Sequence, residues 1–350
     1  MSPVISSPLL RRTSREVLPV TRSISEGEIA ISSPKVRRAL VVNGVSVEPG
    51  ERRRVEIPMG GLPTQTPLAL PVEIVRGVEP GPRVWVSAAL HGDEVNGVEI
   101  VRALLDDLDP QKMCGAVIAV PIVNVFGFIN QSRYLPDRRD LNRSFPGNKK
   151  GSLAGRLARL FLDEIVGRCT HGIDLHTAAV GRYNFPHVRG DLSDGPTRQI
   201  LEAFGAEVMM DAAPPRGSLR QTAARKKIPI VLFEGGEALR FDRPVVEVGL
   251  AGTKRVLQAL GVTSFKDAGT PGSNRESSQT SWVRARRAGI LRVEVESGAF
   301  VKKGQRLGTV GDAFDTSAAP LKAPFDGIVL SHVTHPLVHQ GEAMFHVAKL

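Results

Sequence analysis

Arg83-Val84-Trp85-Val86-Ser87-Ala88-Ala89-Leu90 is an apolar run of strand length that leads directly into His91-Gly92-Asp93-Glu94. The run predicts a buried strand, and the His-x-x-Glu behind it sets an imidazole and a carboxylate three residues apart at the strand's end. Zinc is held by imidazole, thiolate and carboxylate, and a catalytic zinc uses three protein ligands with the fourth position kept for water. His91 and Glu94 supply two of these. His176, in Asp174-Leu175-His176-Thr177 after the strand-like run Gly172-Ile173-Asp174, offers a third, 82 residues beyond Glu94. This spacing points to a zinc hydrolase with one Zn2+ per chain.

Further chemistry-bearing residues follow apolar runs. Ala116-Val117-Ile118-Ala119-Val120-Pro121-Ile122-Val123 reads as a buried strand delivering an arginine-rich loop, Arg133 to Arg139, which ends in Asp140-Leu141-Asn142-Arg143. Guanidinium forks there suit a carboxylate substrate, which they bind bidentately. Glu234 closes the run Ile228 to Phe233 ahead of Gly235-Gly236, a strand-end position for a general base beside activated water. Serine or cysteine acylation is disfavoured: there is no Gly-x-Ser-x-Gly elbow, and neither Cys114 nor Cys169 stands beside a candidate base.

In order and wording, His91-x-x-Glu94, Asp140-Leu141-Asn142-Arg143, His176 and Glu234 resemble the succinylglutamate desuccinylase/aspartoacylase family, itself similar to zinc carboxypeptidases. The resemblance spans roughly residues 40–350. It implies a three-layer α/β/α, zinc-carboxypeptidase-like catalytic domain and a zinc-dependent amidohydrolase using metal-activated water. By this likeness His91, Glu94 and His176 bind zinc, and Glu234 is the general base and then the acid. Arg133 polarises the carbonyl, and Asn142 and Arg143 hold the substrate carboxylate. Asp140 accepts the free N–H of His91, as carboxylates behind metal-bound imidazoles do. The loop from Arg133 to Asn142 is longer than the family's, so Arg138 and Arg139 remain open for the role given to Arg133. The only tyrosines are Tyr134 and Tyr183, neither in the C-terminal region that would supply a substrate-binding tyrosine, so acetylaspartate specificity does not carry over. Arg220 is read either as another substrate-carboxylate contact or as surface charge at a helix start, and Arg182 and Asn184 either as pocket residues or as a solvated loop. His171 reads as a packing histidine.

At 350 residues and 41% hydrophobic content, the chain has material for two domains. Residues 1–38, rich in Ser, Pro and Arg, read as a disordered basic tail. Residues 39–261 read as the zinc-dependent catalytic domain with an N-terminal strand extension. Its helices are expected over Gly97–Leu108, from a Ser152 cap to near Gly167, and over Glu247–Leu260. Residues 262–281 read as a linker. Residues 282–350 resemble a lipoyl/biotinyl-type β-barrel, expected to be unmodified: the hairpin position for a carrier lysine holds Thr316, and Lys322 abuts Ala323-Pro324. This part is expected to act as a lid. Its His332, His335, His339 and His346 are weighed as an adventitious metal patch.

Net charge is +10, and residues 1–54 hold ten Lys/Arg against five Asp/Glu. The balance suits an anionic small molecule or acidic peptide. Aromatic content of 5% and the lack of a recognition motif argue against nucleic acid. No apolar run reaches the ~18 residues of a membrane span, and no signal-like segment opens the chain, so a soluble cytoplasmic enzyme is expected, with a homo-oligomer left open. Three functions compete. One is a small-molecule N-acyl amino acid amidohydrolase. The second is a metallocarboxypeptidase-like enzyme releasing glutamate or other acidic residues from a peptide or protein tail. The last is a non-catalytic metal-binding or interaction protein. A closed pocket would favour the first and an open groove the second.

Overall fold

A computed structural model of the protein describes residues 40–314 and 318–350. The expected tail and Thr316 lie outside the described residues. A small hairpin, β1 (Leu40–Val42) and β2 (Val45–Val47), precedes the long strands β3 (Arg52–Gly61), β4 (Pro67–Arg76) and β5 (Glu79–Ala88). Then come α1 (Asn96–Asp107), β6 (Cys114–Val120), α2 (Val125–Ile129), α3 (Leu153–Glu164), β7 (His171–Ala178) and β8 (Arg182–Gly190). They are followed by α4 (Gly195–Phe204), β9 (Val208–Asp211), α5 (Leu219–Arg225), β10 (Ile230–Glu237) and α6 (Arg243–Ala259). The C-terminal part is all β: β11 (Arg275–Ser277), β12 (Thr280–Arg284), β13 (Gly289–Val293), β14 (Phe300–Val301), β15 (Arg306–Gly311), β16 (Ala319–Lys322), β17 (Gly327–Val333), β18 (Leu337–Val338) and β19 (Ala343–Lys349).

The centre of the main sheet is parallel, with β6, β5, β7 and β10 side by side, and antiparallel strands flank it: β4 then β3 on one side, β8 on the other. Side chains alternate across a strand, and the central strands are apolar on both faces. Val84, Val86 and Ala88 of β5 join Val117 and Ala119 of β6 in one core, against α1, α4 and α6. Trp85 joins Ile118 and Val120 in the other, against α3 and the Leu219–Ala223 face of α5. The fold is thus mixed α/β, with helices on both faces of the sheet.

Local signals set most helix boundaries. Ser152 caps α3 by accepting from the Gly155 N–H (3.2 Å). α6 starts at Arg243, four residues ahead of the expected Glu247, because Asp242 accepts from the Val245 N–H and Pro244 lies in the first turn. Residues 262–281 are not a free tether throughout: β11 inside them pairs in parallel with β9.

The C-terminal strands continue the main sheet. β17 pairs antiparallel with β8 (Ser331 opposite Asn184, Val333 opposite Arg182), then β19 and β12 extend the order. β16, β15, β13 and β18 form a separate four-stranded sheet. Leu291, Leu307, Val310, Val329, Met344 and Phe345 fill a barrel-like core with strands of both sheets around it. Lys322 on β16 is exposed. Among the described residues no helix is long and apolar enough to cross a membrane.

Candidate metal centre and active-site cavity

β5 ends at Ala88, and the chain turns sharply: Ala89 adopts a left-handed φ of 47°, an unfavourable conformation for a residue with a Cβ. Gly92 is needed in this turn, since a Cβ there would lie 2.0 Å from the Gly127 carbonyl carbon. The turn brings His91 and Glu94 together. Asp174 and His176, two apart on β7, point to the same side. His91 Nδ1 lies 2.6 Å from Glu94 Oε1, and His176 Nδ1 lies 2.8 Å from Glu94 Oε2. One ligand atom from each of the three residues falls within 4.8 Å of the others, and all three residues are buried.

Both imidazoles are anchored from behind. His91 Nε2 is 3.1 Å from Asp140 Oδ1, and His176 Nε2 is 2.9 Å from Asp174 Oδ2, whose other oxygen accepts from Ser87 Oγ at 2.8 Å. Each ring therefore gives one nitrogen to a carboxylate and directs the other at the centre, the arrangement that fixes the tautomer of a metal-binding histidine. Two imidazole nitrogens and a carboxylate form a donor set that zinc accepts. Glu94 also receives the Thr177 N–H (3.0 Å) and Arg133 Nη1 (3.2 Å), while Arg133 Nη2 reaches Asp140 at 3.1 Å.

Burial alone would raise the Glu94 carboxyl, yet the charges and hydrogen bonds of His91 and His176 hold it well below the carboxylate range. Asp140, against the same pull of burial, is held low by His91 and Arg133. Glu234 goes the other way: burial pushes its carboxyl above the ordinary value, against the nearby Arg189 charge. Glu234 lies opposite His176 in the β10–β7 register, and its Oε2 accepts from Asn184 Nδ2 (3.0 Å). It is not at the strand's end. β10 runs on to Glu237 through an irregularity in register, with Gly236 at a φ of 76°.

A cavity of about 340 Å3 takes in His91, Glu94, His176 and Glu234. Arg133, Asn142, Arg143 and Arg220 line it, as do Arg182 and Asn184 of β8, whereas Arg138 and Arg139 are exposed and outside it. Asn142 Oδ1 is engaged by the Leu219 N–H (2.9 Å), and Arg143 Nη1 donates to the Asn142 carbonyl (2.7 Å). Arg220 is buried, with its Nε and Nη1 lacking any partner. His171, bonded to Thr170 Oγ1, is not in the cavity. The C-terminal histidines form no ligand cluster among the described residues. His332 bonds Ser297, and His346 stacks on Trp282 with ring centroids 4.2 Å apart.

Sequence reasoning missed four groups here: Asp174, Arg189, Trp282 and His346. Asp174 had a usable signal, the i, i+2 spacing from His176 on a strand. The other three reach the cavity only through strand pairing.

A family model described as the succinylglutamate desuccinylase/aspartoacylase catalytic domain matches residues 80–260. The N-alpha-acetyl-L-2,4-diaminobutyric acid deacetylase of Halomonas elongata is 26% identical over 310 residues, covering 80% of this chain and 86% of that protein. A succinylglutamate desuccinylase/aspartoacylase crystal structure from Rhodobacter sphaeroides superposes with a TM-score of 0.75 at 27% identity, covering 85% of this chain and 95% of that one. The product-bound ectoine utilization protein EutE (DoeB) of Ruegeria pomeroyi shares the fold, with a TM-score of 0.76 at 20% identity over 85% of this chain and 95% of that one. With the family model matching more than half of its length, the chain belongs to the succinylglutamate desuccinylase/aspartoacylase family.

Proposed function

We propose that the protein is a zinc-dependent deacylase that hydrolyses the amide bond of a small N-acyl amino acid or related carboxylate. The observation that carries this reading is the pair of imidazoles, each backed by a carboxylate and each turned toward Glu94. His91, Glu94 and His176 are the residues that would hold the metal. Zinc bound there supplies Lewis acidity, lowering the pKa of water and polarising the scissile carbonyl. Glu234, made more basic by burial and oriented by Asn184, takes the proton of the attacking water and returns it to the leaving amine. Arg133, anchored on Glu94 and Asp140, keeps its remaining donors for the developing oxyanion.

Arg143 and Arg220 are the carboxylate contacts in this reading, with Asn142 tying the segment of the first to the helix of the second. Five guanidinium groups line the cavity, so an anionic substrate is favoured. The modest volume, walled by Trp282 and His346, suits a small acylated amino acid rather than a protein tail. The relative named as a deacetylase of an N-acetylated diamino acid supports amide-bond deacylation. We read the layering around the main sheet as zinc-carboxypeptidase-like and residues 282–350 as an unmodified lid.

The test is metal analysis joined to a substrate screen. The purified protein should carry about one zinc per chain and release amino acid from one of a panel of N-acyl amino acids. His176→Ala should lose both properties. Full metal content in that variant would remove His176 from the centre.

A further inference from the structure

β8 brings two side chains to the Glu234 side of the main sheet that the mechanism leaves unused. In the antiparallel register His187 stands opposite Glu234, and Arg189 opposite Leu232. Strand partners face the same way, so Arg189 lines the cavity together with Leu232 and Glu234. Its orientation is built in. His187 is fully buried, and its Nδ1–H donates to the Phe185 carbonyl (2.7 Å), which leaves Nε2 as an acceptor for the Arg189 Nε–H at 3.0 Å. Burial first, and then the Arg189 charge, hold this imidazole neutral, well below its ordinary pKa. A neutral, single-tautomer histidine thus fixes one edge of the guanidinium without neutralising it.

Arg220 on α5 reaches the same cavity and is 7% exposed. Its Nη2 donates to the Ala213 carbonyl (3.1 Å), while Nε and Nη1 have no partner. Burial and then the Arg189 charge bring its guanidinium down to about 10, so the two cations feel each other. Among the described residues neither makes an ion pair. The carboxylates of Glu234, Asp191 and Asp211 act on Arg220 only beyond ion-pair distance, and Glu234 is engaged through Oε2 by Asn184. Two like charges with unused donors on the wall of one partly dry cavity are costly unless an anion joins them.

We propose that Arg189 joins Arg220 in one anion clamp on the substrate carboxylate that Arg143 also contacts, with Arg189 as the specificity-determining residue and His187 as its positioning residue. The identity of that carboxylate rests on the deacylase reading; the clamp itself does not. Its chemistry is that of a small oxyanion shared between two guanidinium groups.

The test is calorimetric titration of the full-length protein with sulfate, a probe that needs no turnover. Wild type should bind sulfate, and Arg189→Met and Arg220→Met should each weaken it at least ten-fold. Arg189→Lys keeps the charge but not the fork and should fall between; should the methionine variants fail to fold, it decides alone. His187→Phe should weaken sulfate as Arg189→Met does, and His187→Gln, which can offer an amide oxygen to Nε–H, should restore most of it. With a cleaved substrate, Arg189→Lys should raise KM more than it lowers kcat. Unchanged sulfate affinity in the Arg189 variants, or no sulfate bound by wild type, would overturn the clamp. Loss of sulfate in the variants, with no N-acyl amino acid cleaved by wild type, would leave the clamp standing and sink the deacylase reading instead.

Discussion

Glu234 shows how one side chain is prepared by its neighbours. Burial raises its carboxyl, which favours proton uptake, and a single amide donor from Asn184 leaves the second oxygen free. Glu234→Gln preserves shape and can still accept from Asn184, so fold and metal content should persist. The amide cannot take a proton, and kcat should fall by about 10²–10⁴-fold; near wild-type turnover on a confirmed substrate would remove Glu234 from the mechanism. His171 gives a prediction of another kind. Burial lowers its imidazole to about 4, against 6.5 in a model peptide. Between those values the unfolded chain binds the extra proton, so this contribution is intact above about pH 6.5 and is lost as pH falls toward 4. From pH 7 to pH 5 the loss is about 2 kcal/mol. His171→Gln should flatten the fall by that amount in urea unfolding at the two pH values, and an unchanged slope would contradict the assignment.

α5 carries Arg220, one of the carboxylate contacts of the proposed function, to the cavity wall. It is seven residues long, too short to be stable alone, and is held at its N-terminal end: Ser218 Oγ accepts the Gln221 N–H (3.1 Å), and Asn142 Oδ1 accepts the Leu219 N–H. The Asp140–Arg143 turn that supports His91 therefore also positions the helix carrying Arg220. Asn142→Ala should raise KM by about ten-fold or more through α5, with a stability loss of about 1–2 kcal/mol for the orphaned N–H. Steady-state kinetics beside denaturant unfolding would separate the two effects, and an unchanged KM would show that α5 does not need this bond. The apolar patterns of α1 and α3 were legible because both repeat on one face. The Asp242-Arg243-Pro244 start of α6 was also in the sequence, but cap and proline preceded the apolar pattern that drew the expected boundary.

At the scale of the whole molecule, the C-terminal part is an extension of the catalytic sheet. β17 covers the edge of β8, the strand that carries Arg182, Asn184, His187 and Arg189. Residues 282–350 also bring Trp282 and His346 to the cavity. Removing them would open the Arg182–Asn184 half of that edge, since β9 pairs only Val188–Gly190, and uncapped edges associate. A chain ending at residue 281 should be inactive and should aggregate or bind a hydrophobic dye; a monomeric, active truncation would show that the seam is dispensable.

The sequence by itself carried the candidate ligand set of the proposed function and part of its support. His91 and Glu94 are three residues apart in one turn, and Asp140 through Arg143 form another, so local spacing carried that information. Strand and helix identity was equally local, resting on apolar runs and caps. Tertiary structure decided what depends on register. Arg133 rather than Arg138 or Arg139 faces the centre because the loop folds back onto Glu94 and Asp140. Arg189 joins the cavity, with His187 buried behind it, only because β8 pairs antiparallel with β10 across an irregular step between Glu234 and Gly236. A shift of one residue in that pairing would turn Arg189 to the opposite face, and no spacing within either segment records which register is adopted.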